Sequence, residues 1–191
     1  MALSDVLQTT LRVVRILDSF GVDYLVGGSL ASSLHGIPRA TQDVDLVAAI
    51  TQDEVSDFVE ALGSDFYVDE EMIREAIRRG TSFNIIELET MFKVDVFIAG
   101  SDYVSKTAMI RRQAIQLGEG PGQALMVATP EDIILQKLAW YQQGDEISER
   151  QWLDVLGVLK VQGSRLDKSY MQKTAALMGV AGLLQRALRG C

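Results

Sequence analysis

Two segments of this chain alternate apolar and polar positions with a period of two, and most of the rest repeats at helical spacing. "QDVDLVAAI" places Val44, Leu46 and Ala48 on one strand face and Asp43, Asp45 and Val47 on the other. "MFKVDVFIAG" sends Phe92, Val94, Val96 and Ile98 inward and leaves Asp95 opposite, with Lys93 and Phe97. "SFNIIELE" precedes it closely enough to pair as an antiparallel neighbour. "DYLVGG" is a further short strand ending in a glycine turn, and "AIQLG" and "ALMVA" read as edge strands around an "EGPGQ" turn.

Helical spacing accounts for the other segments. Ser4 can cap a first helix that runs to about Phe20 and stops at Gly21. "SLASSLHG" is a short helix closed by Gly36, and "SDYVSKTAMIRRQ" is another. Thr51 with Glu54 forms a capping-box start for "DEVSDFVEALG", and Asp69 begins "DEEMIREAIRRG". "TPEDIILQKLAWYQQG" has Thr at the cap, Pro at the first helical position and acids in the first turn, and only helices follow. The expectation is an α+β chain: a small mixed or antiparallel sheet flanked by helices over residues 1–128, then a helical C-terminal subdomain over 129–191 packed on the first half.

Composition narrows the function classes. The 191 residues are 48% hydrophobic and 23% charged, enough for a proper core in one ordinary domain. No apolar run reaches the roughly 18–20 residues of a membrane span, and "MALSDVLQTTLRVVRILDSF" reads as an amphipathic helix rather than a basic leader with a cleavage site. The lone cysteine, Cys191, permits no internal disulfide and fits a reducing cytoplasm. A net charge of −8 argues against extensive nucleic-acid binding. Arg74 with Arg78, and Arg111 with Arg112, are the candidate basic patches, or simply solvated helix ends.

Asp43 and Asp45 need compensation, because like charges on one strand face repel. Two carboxylates about 7 Å apart along a strand can converge on one Mg²⁺ or bracket two, and Asp95 can complete a two-metal site or act as a base. Gly27 and Gly28 sit at a strand-to-helix turn where a phosphate can reach the backbone, and the helix start at Ser29 offers free N–H groups and a hydroxyl. Arg39 is a partner for a phosphate or for the acidic pair. His35, at a helix end, is expected to be structural, and Trp140, Tyr141 and Trp152 are expected to be core between the tail helices.

The ordered set Val26-Gly27-Gly28-Ser29, Asp43-Val44-Asp45-Leu46 and Asp95 resembles the signature of the nucleotidyltransferase superfamily, whose fold is shared with DNA polymerase beta and kanamycin nucleotidyltransferase. The resemblance covers roughly residues 20–100. It implies Asp43, Asp45 and Asp95 as metal ligands for Mg²⁺ or Mn²⁺, and Gly27, Gly28, Ser29, Arg39 and Thr41 as nucleotide-binding residues. A nucleoside triphosphate would be the substrate. The string "GGSLASSLHGIPRATQDVDLV" joined to "TPEDIILQKLAW" is similar to a bacterial, uncharacterised and abortive-infection-toxin-like branch, in which a Lys and an Asp of the tail helices join the site; these match Lys137 and Asp154. Lys137 lies on the apolar stripe of Ile133, Ile134, Leu138 and Tyr141, so its head either reaches an anion or snorkels off the edge. Asp154, among Trp152, Leu153, Val155 and Val158, also reads as a plain solvent-facing acid. The acceptor can be a small molecule, a protein or an RNA end, and a non-catalytic nucleotide-binding or toxin–antitoxin partner module remains the rival.

Overall fold

The computed structural model describes residues 5–41, 43–118 and 123–190. Ser4, Gln42, residues 119–122 of the "EGPGQ" stretch expected to turn, and Cys191 lie outside the described residues. Helix α1 (Asp5–Ser19) leads into β1 (Tyr24–Val26), α2 (Gly28–His35) and β2 (Asp43–Ala48). Next come α3 (Val55–Leu62), β3 (Phe66–Tyr67), α4 (Glu70–Arg79), β4 (Ser82–Glu87), β5 (Lys93–Ile98), α5 (Tyr103–Arg111), β6 (Gln113–Gln116) and β7 (Ala124–Val127). Four helices complete the described chain: α6 (Pro130–Gln143), α7 (Glu149–Gln162), α8 (Lys168–Leu177) and α9 (Ala181–Arg189).

Three of the expected start signals are made. Thr51 and Glu54 close a capping box, Asp69 accepts from the Met72 N–H, and Thr129 accepts from Asp132 N–H ahead of Pro130. Each satisfies backbone donors that a helix start leaves unpaired.

Among the described residues, seven strands form one mixed sheet in the order β3-β4-β5-β2-β1-β7-β6. β4 and β5 are antiparallel, as expected, and β2 lies parallel to β5 with Asp45 beside Asp95. β7 corrects an expectation: it is not an edge strand. It lies between β1 and β6, with Leu125 and Val127 fully buried. A four-residue apolar strand reads alike at an edge or inside, and only its long-range parallel contact with β1 decides.

Val44, Leu46, Ala48, Val94 and Val96 are buried on one face of the sheet, with α1, α3 and α4 packed at that side. α2, α6 and α7 pack on one another, and α8 and α9 close on α6. Two buried polar hubs tie the layers. Glu87 takes hydrogen bonds from Thr9, Thr90 and Arg12, which holds α1 to β4. Asp132 accepts from Thr129 and from the Tyr170 hydroxyl at 2.5 Å, while Arg111 lies 3.2 Å from Glu131 and 3.8 Å over the Tyr170 ring. His35 is structural, as expected: its Nε2 lies 2.8 Å from the Ala128 carbonyl, and burial lowers its basicity.

Gly36 is where α2 meets α7. A Cβ there would stand 2.8 Å from Val158 N and 2.9 Å from Gly157 C, both backbone atoms that cannot move aside singly. Gly36→Ala is therefore expected to cost about 1–3 kcal/mol of stability by forcing the helices apart, read as a lower urea midpoint at unchanged slope.

Candidate functional site

The carboxylates lie in cross-strand rows. Directly opposite residues of paired strands point to the same face. The row through Asp45 runs Gly27, Asp45, Asp95, Asn84, with the Gly27 N–H donating to the Asp45 carbonyl at 2.8 Å. In front of it stand Asp43 and Lys93; behind it stand Leu25, Val47, Phe97 and Ser82. Adjacent parallel strands bring the Asp45 and Asp95 backbones to about 4.8 Å. The three candidate acids thus share one face across two neighbouring strands.

Asp45 carries the electrostatic strain. Burial, then the Asp43 and Asp95 charges, push its carboxyl up to about 6, against the weaker pull of Lys137 and Lys93. Asp43 accepts from the Thr41 hydroxyl at 3.0 Å, and Asp95 pairs with Lys93 at 2.8 Å. Asp45 has no such hydrogen bond among the described residues. Oxygen donors of one sign on one face suit a hard divalent cation. Among the described residues, however, no three acids already converge as a ligand cage, and Asp95 is paired with Lys93 instead.

The turn beside the acids is built for close approach. Gly28 opens α2 at φ +56, and a Cβ there would fall 1.7 Å from Asp45 Oδ2. The absent side chain therefore lets the helix N-terminus sit directly on the carboxylate row. The Ser29 hydroxyl accepts from Arg39 Nη2 at 2.5 Å, which leaves its own proton to donate.

Asp154 is the residue the sequence placed least well. It is buried, not solvent-facing, and bonds Lys137 Nζ at 2.7 Å and the Arg39 guanidinium at 2.8 and 3.0 Å. Burial opposes its ionisation, but the bonds from Arg39 and Lys137 outweigh that and hold its carboxyl below the usual range. Lys137 is 1% exposed, so it does not snorkel; the anion it reaches is Asp154. Arg39 pairs with Asp154 rather than with Asp43 or Asp45. A polar cleft of about 680 Å³ opens here between Ser29, Arg39, Thr41 and Asp43 on one wall and Ser148, Arg150 and Gln151 on the other.

The aromatic and basic expectations change. Tyr141 and Trp152 pack at 5.3 Å between tail helices, with Arg186 over both. Trp140 leaves that cluster and meets Phe97 at 6.3 Å, above the carboxylate face of the sheet, because it lies on another side of α6. Arg74, Arg78, Arg111 and Arg112 are each paired with an acid: Glu70, Glu75, Glu131 with Asp132, and Asp23. Sequence reading did not assign Lys93 or Gln136 to the site. Gln136 Oε1 lies 3.3 Å from where a Gly27 Cβ would be. Its position three residues after Ile133 on the inward side of α6 was the available signal.

No family profile matches the sequence, nor does any curated protein. Solved structures do. A nucleotidyltransferase-like antigenic protein from Paracoccidioides brasiliensis superposes with a TM-score of 0.58 at 21% identity, over 97% of this chain and 93% of that one. The crystal structure of ANT(2″)-Ia in complex with adenylyl-2″-tobramycin gives 0.56 at 16% identity, over 90% and 95%. The solution structure of the same antibiotic-resistance factor gives 0.53 at 17% identity, over 89% and 94%. The fold is that of the nucleotidyltransferases.

Two outcomes follow from the charges. A carboxyl raised in the fold stabilises it below the unfolded value near 3.8 and loses that contribution as pH rises through about 6. Asp45→Asn should therefore raise stability at pH 7.5 by about 1–3 kcal/mol, by about half as much at pH 5 and hardly at all near pH 3, read from paired thermal melts. Asp154→Ala strands a buried ammonium and should cost about 3–5 kcal/mol. Lys137→Met leaves Asp154 neutralised by Arg39 and should cost less, about 1–3 kcal/mol. Denaturant titration checks that order.

Proposed function

We propose that this protein moves a nucleoside monophosphate from a nucleoside triphosphate to an acceptor hydroxyl, in a reaction that depends on a divalent metal. The observation that carries the reading is the contact of the Gly27–Ser29 turn with the Asp45–Asp95 row, which sets a phosphate-binding helix start against clustered carboxylates. The likeness to a structure holding adenylyl-2″-tobramycin supports transfer to a small-molecule hydroxyl. The acid-paired arginines support it over an RNA end.

Asp43, Asp45 and Asp95 would hold Mg²⁺ or Mn²⁺. When bound, the ion neutralises charge on the triphosphate and on the departing pyrophosphate. The chain's own groups do the rest. The N–H groups at the start of α2 and the Ser29 hydroxyl bind phosphate oxygens, and Arg39 adds a cation already aimed at Ser29. Lys137, beneath the row, contributes positive potential and steadies Asp154. The acceptor oxygen bonds to Pα, and the bond from Pα to the β-phosphate's bridging oxygen breaks. Pyrophosphate takes that electron pair, and Asp95 receives the hydroxyl proton.

Mg²⁺ with ATP or GTP at a hundred times its dissociation constant should raise the melting temperature by about 5–10 °C. Asp43→Asn with Asp45→Asn should remove that shift while the apo form stays folded. A shift that survives in the double variant overturns the assignment, as does a triphosphate that never yields pyrophosphate with any acceptor in a cell lysate.

A further inference from the structure

Behind the carboxylates the row is apolar at Leu25, Val47 and Phe97, and a cavity lies on its Leu25–Val47 end. Leu25 and Val47, opposite one another on β1 and β2, form its floor, one two-residue step of about 7 Å from Gly27 and Asp45. Val104 and Ala108 of α5, Leu135 of α6 and Met178 form much of the remaining wall, and the volume is about 170 Å³. A cavity of about 150 Å³ lined by Leu, Ile and Phe binds benzene, so this one takes a single ring. Gln136 of α6 stands between the cavity and the phosphate turn, and among the described residues its carboxamide has no hydrogen-bond partner.

Resting on the transfer activity proposed above, we infer that this cavity is the acceptor subsite, and that the acceptor is a small alcohol with an apolar, ring-sized body. Its ring lies over Leu25 and Val47, Gln136 bonds its hydroxyl, and that hydroxyl points along the strands to the Asp45–Asp95 row. The step is the one already balanced: the alcohol oxygen joins Pα, pyrophosphate leaves, and the proton passes to Asp95. A polycationic acceptor does not suit this wall. Its one acid, Asp132, is already spent on Tyr170, Thr129 and Arg111, so a cation finds no free counter-ion. The polar cleft beside Ser29 and Arg39 is separate, which leaves each substrate its own compartment.

Methyl NMR of the full chain with cyclohexanol and with benzyl alcohol tests the cavity without requiring turnover. The expected result is shifts confined to the methyls that line the cavity, those of Leu25, Val47, Val104, Ala108, Leu135 and Met178, weakened at least tenfold in Ala108→Phe, which fills the space. Val104→Phe serves as a second filler should the first fail to fold. Both variants should keep the nucleotide-induced rise in melting temperature. With ATP and Mg²⁺, a ring alcohol should raise pyrophosphate release above the no-acceptor rate, and tobramycin or a short RNA should not. No methyl shifts, or shifts that persist in a folded filler, overturn the subsite. Loss of the nucleotide effect in the fillers overturns it too, since the cavity would then hold the base; so does release driven by tobramycin or RNA instead. A wild-type protein that binds the alcohols but shows no nucleotide effect would instead defeat the transfer reading alone.

Discussion

One carboxylate, Asp154, holds three separate parts of the chain in place. It is shared by Lys137 of α6 and by Arg39 from the loop before β2, and Arg39 extends the link to Ser29 at the start of α2. Two cations on one buried anion leave positive potential rather than a neutral pair. That potential faces a sheet whose nearest row carries Asp45 and Asp95. The helical tail is thereby bound to the glycine turn by charge as well as by packing, and burial makes each member dependent on the others.

The sheet face is divided by row rather than by strand. Along β2 the exposed side reads Asp43, Asp45, Val47, and along β5 it reads Lys93, Asp95, Phe97. In-register parallel pairing aligns the chemistry of the two strands, so polar residues meet polar and apolar meet apolar. A shift of one residue would turn both acids into the core. The same pairing adds the Asp95 charge to the burial and the Asp43 charge that already disfavour ionisation of Asp45, and the glycine turn packs directly against that carboxylate.

The strands and the acids were legible because period-two alternation is local: Val44, Leu46 and Ala48 announce their face without help from the rest of the chain. The capping box at Thr51 and the Thr129-Pro130 start were legible for the same reason. Asp154 was not. Apolar neighbours surround it in sequence, so a helical wheel gives no inward side, and its partner Arg39 is 115 residues away. The interior place of β7 and the turning of Trp140 toward Phe97 likewise depend on contacts between segments far apart in sequence.

The parallel pairing of Asp45 with Asp95 has a consequence for how the protein comes into being. Fifty residues, carrying α3, β3, α4 and β4, must be accommodated before these neighbours meet, and parallel pairing at such separation forms slowly. The buried ion pair that steadies the site arrives later still along the chain, at Lys137 and Asp154. A nascent chain synthesised from its N-terminus presents the glycine turn early and without function. The pocket is assembled from four distant stretches and exists only once the tail helices have docked, so no shorter N-terminal fragment carries it.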